Sequence, residues 1–85
     1  MVRVRLFANF REIVGRQELT IEAETILDLL KKLVMRYPAL NDLIFDRDEV
    51  RGYVNIAVNG EIVRDLERKL SEDDVVAIFP PFSGG

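Results

Sequence analysis

Neither cysteine nor histidine occurs in this 85-residue chain. Without them it can form no disulfide and cannot build a zinc site of the usual cysteine and histidine type. The same absence removes the thiol and imidazole groups that serve most often as nucleophile or general base. We therefore expect neither a self-contained hydrolase nor a metal site, and any reactive group must be of another kind.

Proline and glycine are scarce and concentrate at the C-terminus. Two of the three prolines and two of the five glycines lie within the last six residues, at Pro80, Pro81, Gly84 and Gly85. Prolines lack an N–H donor and fix φ, so sheet pairing stops there and the chain leaves in an extended form. We predict a folded domain over residues 1–79 and a flexible tail over residues 80–85 that ends in Gly-Gly.

The C-terminal carboxylate of Gly85 is the group with the clearest chemical use. Small glycines let it enter a narrow active site, and adenylation with ATP in another enzyme would turn it into an acyl donor for sulfur or an amine. Phe82 is either a satellite of the core or an anchor that docks the tail in a partner. An inert, frayed terminus is the alternative, but two prolines, an aromatic residue and two glycines together favour a functional tail.

The net charge of −3 is unevenly distributed. Residues 1–60 carry nine acidic and nine basic side chains, whereas residues 61–74 carry six acidic and three basic ones. This excess repels phosphates, which argues against nucleic-acid binding and predicts a basic partner surface near the tail; an ordinary solvated rim is the alternative. No apolar run approaches the roughly 18 residues of a membrane span, and no signal peptide is recognisable. We expect a soluble cytoplasmic protein with no membrane partner.

Alternating apolar and polar residues predict strands towards both ends of the chain. Residues 2–8 and 18–21 predict a first hairpin. Residues 53–63 predict a second hairpin, because Asn59-Gly60 favours the positive φ angles of a two-residue primed turn. Residues 75–79 are apolar on both faces, which predicts a strand in the centre of the sheet.

One main helix is expected between the two hairpins. From Thr25 the apolar residues follow helical spacing, Thr25 with Asp28 resembles a capping box, and Pro38 ends the helix. Residues 39–45 allow a further helical turn, and the highly charged residues 46–52 predict a mobile loop. The order of elements predicts an α+β fold, with one main helix packed on a mixed sheet of about five strands.

Two aromatic residues are candidates for contact with a partner. Phe7 falls on the otherwise polar face of the first strand, and Phe79 ends the last strand at a position expected to be partly exposed. Exposed aromatic residues are enriched where proteins meet. For Phe7, a second layer of the core is the alternative.

Three groups of residues carry a resemblance to a known family. They are Leu6-Phe7-Ala8 with Arg11-Glu12 and Gly15, Ala57-Val58-Asn59, and the terminal run from Phe79 to Gly85. Over nearly its whole length the chain resembles the MoaD/ThiS family of ubiquitin-like sulfur carriers, closest to the molybdopterin synthase small subunits (MoaD). The resemblance implies a ubiquitin-like β-grasp fold. One departure is Asp73, where relatives usually have glycine in the turn before the last strand.

The resemblance also implies a reaction. A partner resembling ubiquitin-activating enzyme (MoeB-like) would use ATP to adenylate Gly85, and a sulfur donor would then supply the sulfur of a thiocarboxylate. In the large molybdopterin synthase subunit (MoaE-like), that sulfur would pass to cyclic pyranopterin monophosphate. The chain itself would bind no cofactor and would not be catalytic alone. Phe82, Ser83 and Gly84 would enter the partner, and the expected contact residues are Phe7, Ile62, Phe79, Pro80 and Pro81.

Three other functions stay open at this point. A ubiquitin-like modifier would transfer the activated Gly85 to lysines of target proteins. A sulfur carrier for thiazole synthesis is less consistent with the long segment 39–52 and the double proline. A plain β-grasp interaction module would have an inert tail. The sequence does not distinguish molybdenum from tungsten as the eventual metal.

Overall fold

A five-stranded mixed sheet forms the centre of the structure, a computed structural model that describes residues 1–81. The predictions for Phe82, Ser83, Gly84 and Gly85 lie outside the described residues. Within residues 1–81 the strands are β1 (Val2–Leu6), β2 (Glu18–Ile21), β3 (Phe45–Asp46), β4 (Glu49–Val50), β5 (Asn55–Val58), β6 (Glu61–Ile62) and β7 (Val75–Phe79). The central sheet has the order β2-β1-β7-β5-β6, and β3 pairs with β4 separately.

The last long strand, β7, occupies the middle of that sheet, as its apolar sequence predicted. It runs parallel to β1 and antiparallel to β5. A strand with partners on both sides has its backbone donors and acceptors satisfied along its length. The chain therefore enters its C-terminal tail from a strand that is held on both sides.

Helices cover one face of the sheet. They are α1 (Ala8–Val14), α2 (Ile26–Arg36), a 3₁₀ turn (Pro38–Leu40) and α3 (Asn41–Ile44). The fully buried side chains of the core come from these helices and from alternate positions of the strands; the largest include Phe10, Leu6, Ile26, Leu29, Leu30, Leu33, Leu40, Ile44 and Ile78. The predicted α+β class is confirmed, with the helical turn expected after Pro38 and with α2 as the longest helix.

The start of α2 confirms the predicted cap. The Oγ1 atom of Thr25 accepts a hydrogen bond from the N–H of Asp28 at 3.1 Å. Asp28 in turn accepts from the N–H of Glu24 at 3.0 Å, one residue earlier than a standard capping box. This backbone bond, aided by Lys32 at 3.2 Å, holds the pKa of Asp28 below its ordinary value against the effect of burial.

Helix α1 was not predicted. Residues 2–8 were expected to form one strand, but β1 ends at Leu6 because Ala8 turns the backbone with a φ of 51°. The helix is only seven residues long and buries one side chain, Phe10, so it has little periodic signal. Gly15 ends it with a left-handed φ of 78°, and its N–H donates to the carbonyl of Arg11 at 2.8 Å.

The loop predicted over residues 46–52 is wrong in part, because residues 45–50 form the β3–β4 hairpin. Its two turn residues, Arg47 and Asp48, take φ angles of 51° and 68°. Both angles are characteristic of a primed two-residue turn, which usually contains glycine or asparagine. Phe45, buried beneath this hairpin, joins it to the core.

A polar cluster fastens the β5–β6 turn to the start of β7. Asn59 and Gly60 take φ angles of 51° and 88°, which confirms the predicted primed turn. The Asn59 side chain accepts from the N–H of Val75 at 3.0 Å and donates to Asp74 at 2.9 Å. Asp73 keeps a negative φ, so the turn before β7 does not require a glycine at this position.

No helix among residues 1–81 is long and apolar enough to cross a membrane.

Candidate functional site

The candidate site lies where β7 ends and the proposed tail begins. Phe79 ends the strand, Pro80 follows half-buried, and Pro81 is exposed. Neither proline has an N–H to donate, so pairing with the neighbouring strands cannot continue. The division at residue 79 into a domain and a tail stays a prediction, because only two residues of the proposed tail are described.

The sheet face opposite the helices, here called the open face, contains the residues that alternate with the core positions. In β1, Val4 and Leu6 point into the core, whereas Arg3 and Arg5 pair with Val75 and Ala77 on the open face. The register continues across the sheet, because paired residues share a face. On the β5 and β6 side, the open face continues with Asn55 opposite Phe79, and with Ala57 opposite both Ala77 and Ile62. On the β2 side, it continues with Glu18 opposite Arg5 and Thr20 opposite Arg3.

Two aromatic rings meet at the tail end of this face. The rings of Phe7 and Phe79 lie 6.5 Å apart at an interplanar angle of 89°, an edge-to-face arrangement. The guanidinium of Arg5 sits 5.8 Å from the centre of the Phe7 ring, within cation–π range. The N–H of Phe7 donates to the carbonyl of Ile78 at 3.2 Å, which fixes its backbone beside β7.

An apolar patch extends from these rings across the sheet. We define it as Phe7, Phe79, Ala77, Ala57 and Ile62. The two alanines lie opposite each other and make a flat floor, while Ile62 on the edge strand is 54% exposed. Large apolar side chains left exposed on a sheet face are typical of docking surfaces.

The structure thus brings together the three predicted contact residues that belong to the domain. Phe7, Ile62 and Phe79 share the open face, and Pro80 and Pro81 continue directly from it. Their role in contact with a partner stays a prediction. The predicted tail residues Phe82, Ser83, Gly84 and Gly85 are outside the described part of the chain.

Sequence reasoning missed the arginines that border the apolar patch. Arg3 and Arg5 flank it on β1, and Arg64 lies two residues beyond Ile62. Arg64, Ile62 and Asn55 line one cavity of about 160 Å³ at the opposite edge of the patch. The sequence contained the information needed to find them, because the alternation that buries Val4 and Leu6 places Arg3 and Arg5 on the same face as Phe7.

The acidic residues 72–74 occupy the other end of the sheet. They precede β7, whereas the tail follows it, so the strand length separates them from the tail. Glu72 contacts the N-terminal amine at 3.6 Å, and Asp74 is engaged with Ser71, Asn59 and Arg68. Residues 72–74 therefore do not lie beside the tail, and the prediction that the acidic residues face a basic partner stays a prediction.

Comparison with known proteins gives the chain a family. The model described as "ThiS family" matches residues 4–85. A molybdopterin synthase sulfur carrier subunit of Chlamydomonas reinhardtii is 38% identical, covering 99% of this chain and 98% of the relative. Small archaeal modifier protein 3 of Haloferax volcanii is 33% identical, with coverages of 99% and 98%.

A solved structure agrees with both sequence matches. Small archaeal modifier protein 1 from Methanosarcina acetivorans superposes with a TM-score of 0.90 at 39% identity, covering 99% of this chain and 95% of that one. This confirms the ubiquitin-like β-grasp fold implied by the sequence motifs. The chain belongs to the ThiS family, the MoaD/ThiS group of ubiquitin-like proteins that its C-terminal and hairpin motifs indicated.

Proposed function

We propose that this chain is the sulfur carrier subunit of a molybdopterin synthase. The observation that carries the proposal is the continuity from β7, the central strand, through Pro80 and Pro81 towards the terminal Gly85. Six residues of extended chain span at most about 20 Å. That length suits a terminus that reaches into a partner's active site while the domain stays docked outside. The full-length similarity to subunits of this name supports the proposal.

The proposed chemistry uses the terminal carboxylate and no side chain of the domain. An oxygen of the Gly85 carboxylate attacks the α-phosphate of ATP in an adenylating enzyme, and pyrophosphate leaves. Sulfide from a donor then attacks the acyl carbon, the C–O bond to AMP breaks, and a thiocarboxylate remains. In the synthase, the thiocarboxylate sulfur would form a C–S bond to a carbon of cyclic pyranopterin monophosphate while a C–O bond of that carbon breaks, and the displaced oxygen would leave as water or with the phosphate. Hydrolysis of the resulting thioester, with water supplying the oxygen, restores the carboxylate.

Two protein partners follow from this scheme, and both must hold the domain while the tail is in use. They are a large synthase subunit and an adenylating enzyme that resembles ubiquitin-activating enzyme. The apolar patch of the open face supports docking to them, because it adjoins the point where the tail begins. ATP would be bound by the adenylating enzyme and not by this chain. We propose that the whole cycle takes place in the cytoplasm.

A second candidate is a ubiquitin-like protein modifier, supported by the similarity to the small archaeal modifier proteins. Adenylation is common to both functions. They diverge when the acyl adenylate is attacked, by sulfide in one case and by the amine of a target lysine in the other. An inert tail is the outcome in which neither attack occurs.

Intact mass measurement tests the proposal. The full chain is incubated with ATP, an adenylating enzyme from the same genome and sulfide, and a chain lacking Gly85 serves as the control. We expect a mass increase equal to replacement of one oxygen by sulfur, confined to the full chain. Mapping of the Ser-Gly-Gly remnants that chymotrypsin would leave on cellular lysines, after cleavage behind Phe82, distinguishes the second candidate. Abundant conjugates without any thiocarboxylate would contradict sulfur carriage.

A further inference from the structure

Arginines border the apolar patch of the open face on two opposite sides. Arg3 and Arg5 stand on β1, and Arg64 follows β6 at the far edge of the sheet. We infer that this face recognises a protein surface in which carboxylates flank an apolar centre on two sides. The inference rests on the proposed function only for the choice of partner used to test it.

The register gives the arrangement a definite geometry. Arg3 and Arg5 are two residues apart on one strand, which places their Cα atoms about 7 Å apart on the same face. Three strand spacings separate β1 from β6, or about 14 Å. A complementary surface would therefore have a pair of acidic residues on one side of an apolar projection and a single one on the other.

These arginines have no carboxylate partner within residues 1–81. The ion pairs there join Met1 to Glu72, Lys32 to Asp28, and Arg68 to Asp74. Glu18 lies opposite Arg5 on β2, yet the two form no ion pair. Arg5 instead lies over the Phe7 ring, so its charge is held at the border of the patch. An arginine that pairs with no carboxylate of its own chain is available to pair with a carboxylate of another protein.

The charge distribution favours an acidic protein over a nucleic acid. The chain as a whole carries a net charge of −3, although its open face has more arginines than acids. An extended polyanion would run past this small basic area and meet the acidic remainder of the surface. Aromatic and arginine side chains around a compact apolar centre are instead the composition of protein interface hot spots.

Steady-state adenylation with matched charge reversals tests the inference. The variant Arg3→Glu with Arg5→Glu is compared with Lys31→Glu with Lys69→Glu, a pair of exposed lysines outside the open face that changes the net charge equally. The assay is pyrophosphate exchange by an adenylating enzyme from the same genome, at 50 and 500 mM NaCl, with the chain as varied substrate. We expect KM for the arginine variant to rise at least about tenfold at low salt. The lysine variant should remain within about twofold of the unmodified chain.

Further readouts separate recognition from stability and from the tail chemistry. Arg64→Glu alone should also raise KM. Arg3→Lys with Arg5→Lys keeps the positive charges and should bring KM most of the way back to that of the unmodified chain. In all these variants kcat should change little, because the tail is intact. The salt dependence of KM should weaken in the arginine variants. If Arg3→Glu with Arg5→Glu lowers the thermal midpoint, the pair Arg3→Gln with Arg5→Gln replaces it. Unchanged KM and salt dependence in all arginine variants would overturn the inference while leaving sulfur carriage intact.

An NMR titration tests recognition by the open face without any adenylating enzyme. It therefore gives a result even if the chain is never adenylated, an outcome that would contradict the proposed function alone. The probes are a hexapeptide with Leu-Phe flanked on each side by two glutamates, its lysine counterpart, and a single-stranded oligothymidine. We expect the acidic peptide alone to shift the amide signals of Arg3, Arg5, Ala57, Ile62 and Arg64. Equal shifts with the lysine peptide, or shifts with the oligonucleotide only, would contradict the inference.

Discussion

At Ala8 the backbone adopts a φ of 51°, in the left-handed region that costs a residue with a Cβ about 1–2 kcal/mol. This residue ends β1 and starts α1, so it sends Phe10 into the core and leaves Phe7 beside Phe79. Asn59 takes the same φ, but its side chain makes hydrogen bonds that Ala8 cannot make. Residue identity and local conformation therefore agree at Asn59 and conflict at Ala8.

Replacement of Ala8 by glycine should stabilise the protein by about 0.5–1 kcal/mol. Removal of the Cβ relieves the left-handed backbone, and this gain exceeds the extra conformational entropy that glycine loses on folding. The matched control is Ala39→Gly, an exposed alanine in the 3₁₀ turn with a negative φ, which should destabilise by a similar amount. Urea unfolding of both variants checks the opposite signs. A loss of stability in both would mean that Ala8 is not strained.

Asp74 gives the stability a defined acid dependence. The backbone hydrogen bond from Ser71, followed by the side-chain bond from Asn59, holds the pKa of Asp74 below its ordinary value. Because the folded pKa is depressed, this contribution is present above the unfolded pKa of about 3.9 and is lost as the pH falls through the folded pKa. Asp74→Asn should lower the free energy of unfolding by about 1–2 kcal/mol at pH 7.

The difference in free energy of unfolding between the unmodified chain and Asp74→Asn should narrow as the pH falls below about 4, where the carboxylate of the unfolded chain becomes protonated. It should reach its minimum below the depressed folded pKa, where the carboxylate is protonated in both states. Chemical unfolding across this range measures it. The control is Asp73→Asn, whose exposed side chain makes no hydrogen bond within residues 1–81. A difference in free energy of unfolding that stays constant with pH would show that the Asp74 charge does not stabilise the fold.

The elements differ in how much of them the sequence predicts. Helix α2 has a cap, a continuous apolar stripe and a terminating proline, so local rules suffice for it. Helix α1 and the β3–β4 hairpin depend instead on positive φ angles at Ala8, Arg47 and Asp48. None of these is the glycine that usually signals such an angle. Tertiary packing of Phe10 and Phe45 overrides local preference there, which explains why both elements were missed.

The edge strand β6 has a side chain suited to test docking without disturbing the fold. Ile62→Ala should cost little stability because Ile62 is 54% exposed, but it should weaken binding of the large synthase subunit about tenfold or more. Met35→Ala is the control, since Met35 is 80% exposed on α2, in the helical layer. Titration calorimetry with thermal melts compares the two. Equal losses of affinity would exclude the open face as the specific contact.

In the whole molecule, the parallel pairing of β1 with β7 joins the two ends of the described chain. Residues more than seventy positions apart, such as Arg5 and Ala77, become neighbours through it. The sequence pattern predicted a central β7 and the reactive tail. It did not show that the arginines of β1 would lie beside the apolar patch while residues 72–74 lay at the other end. Strand order and register are long-range properties, and local periodicity carries no information about them.

The proposed function requires the folded domain to present one chemical group, the thiocarboxylate of Gly85, to a partner. A single-turnover reaction tests this most directly, with thiocarboxylated chain, the large synthase subunit and cyclic pyranopterin monophosphate. Intact mass spectrometry follows the sulfur. We expect each chain to return to the carboxylate form and two thiocarboxylated chains to be consumed per dithiolene formed, since each carries one sulfur. Retention of sulfur on Gly85, or its release without dithiolene product, would contradict the claim.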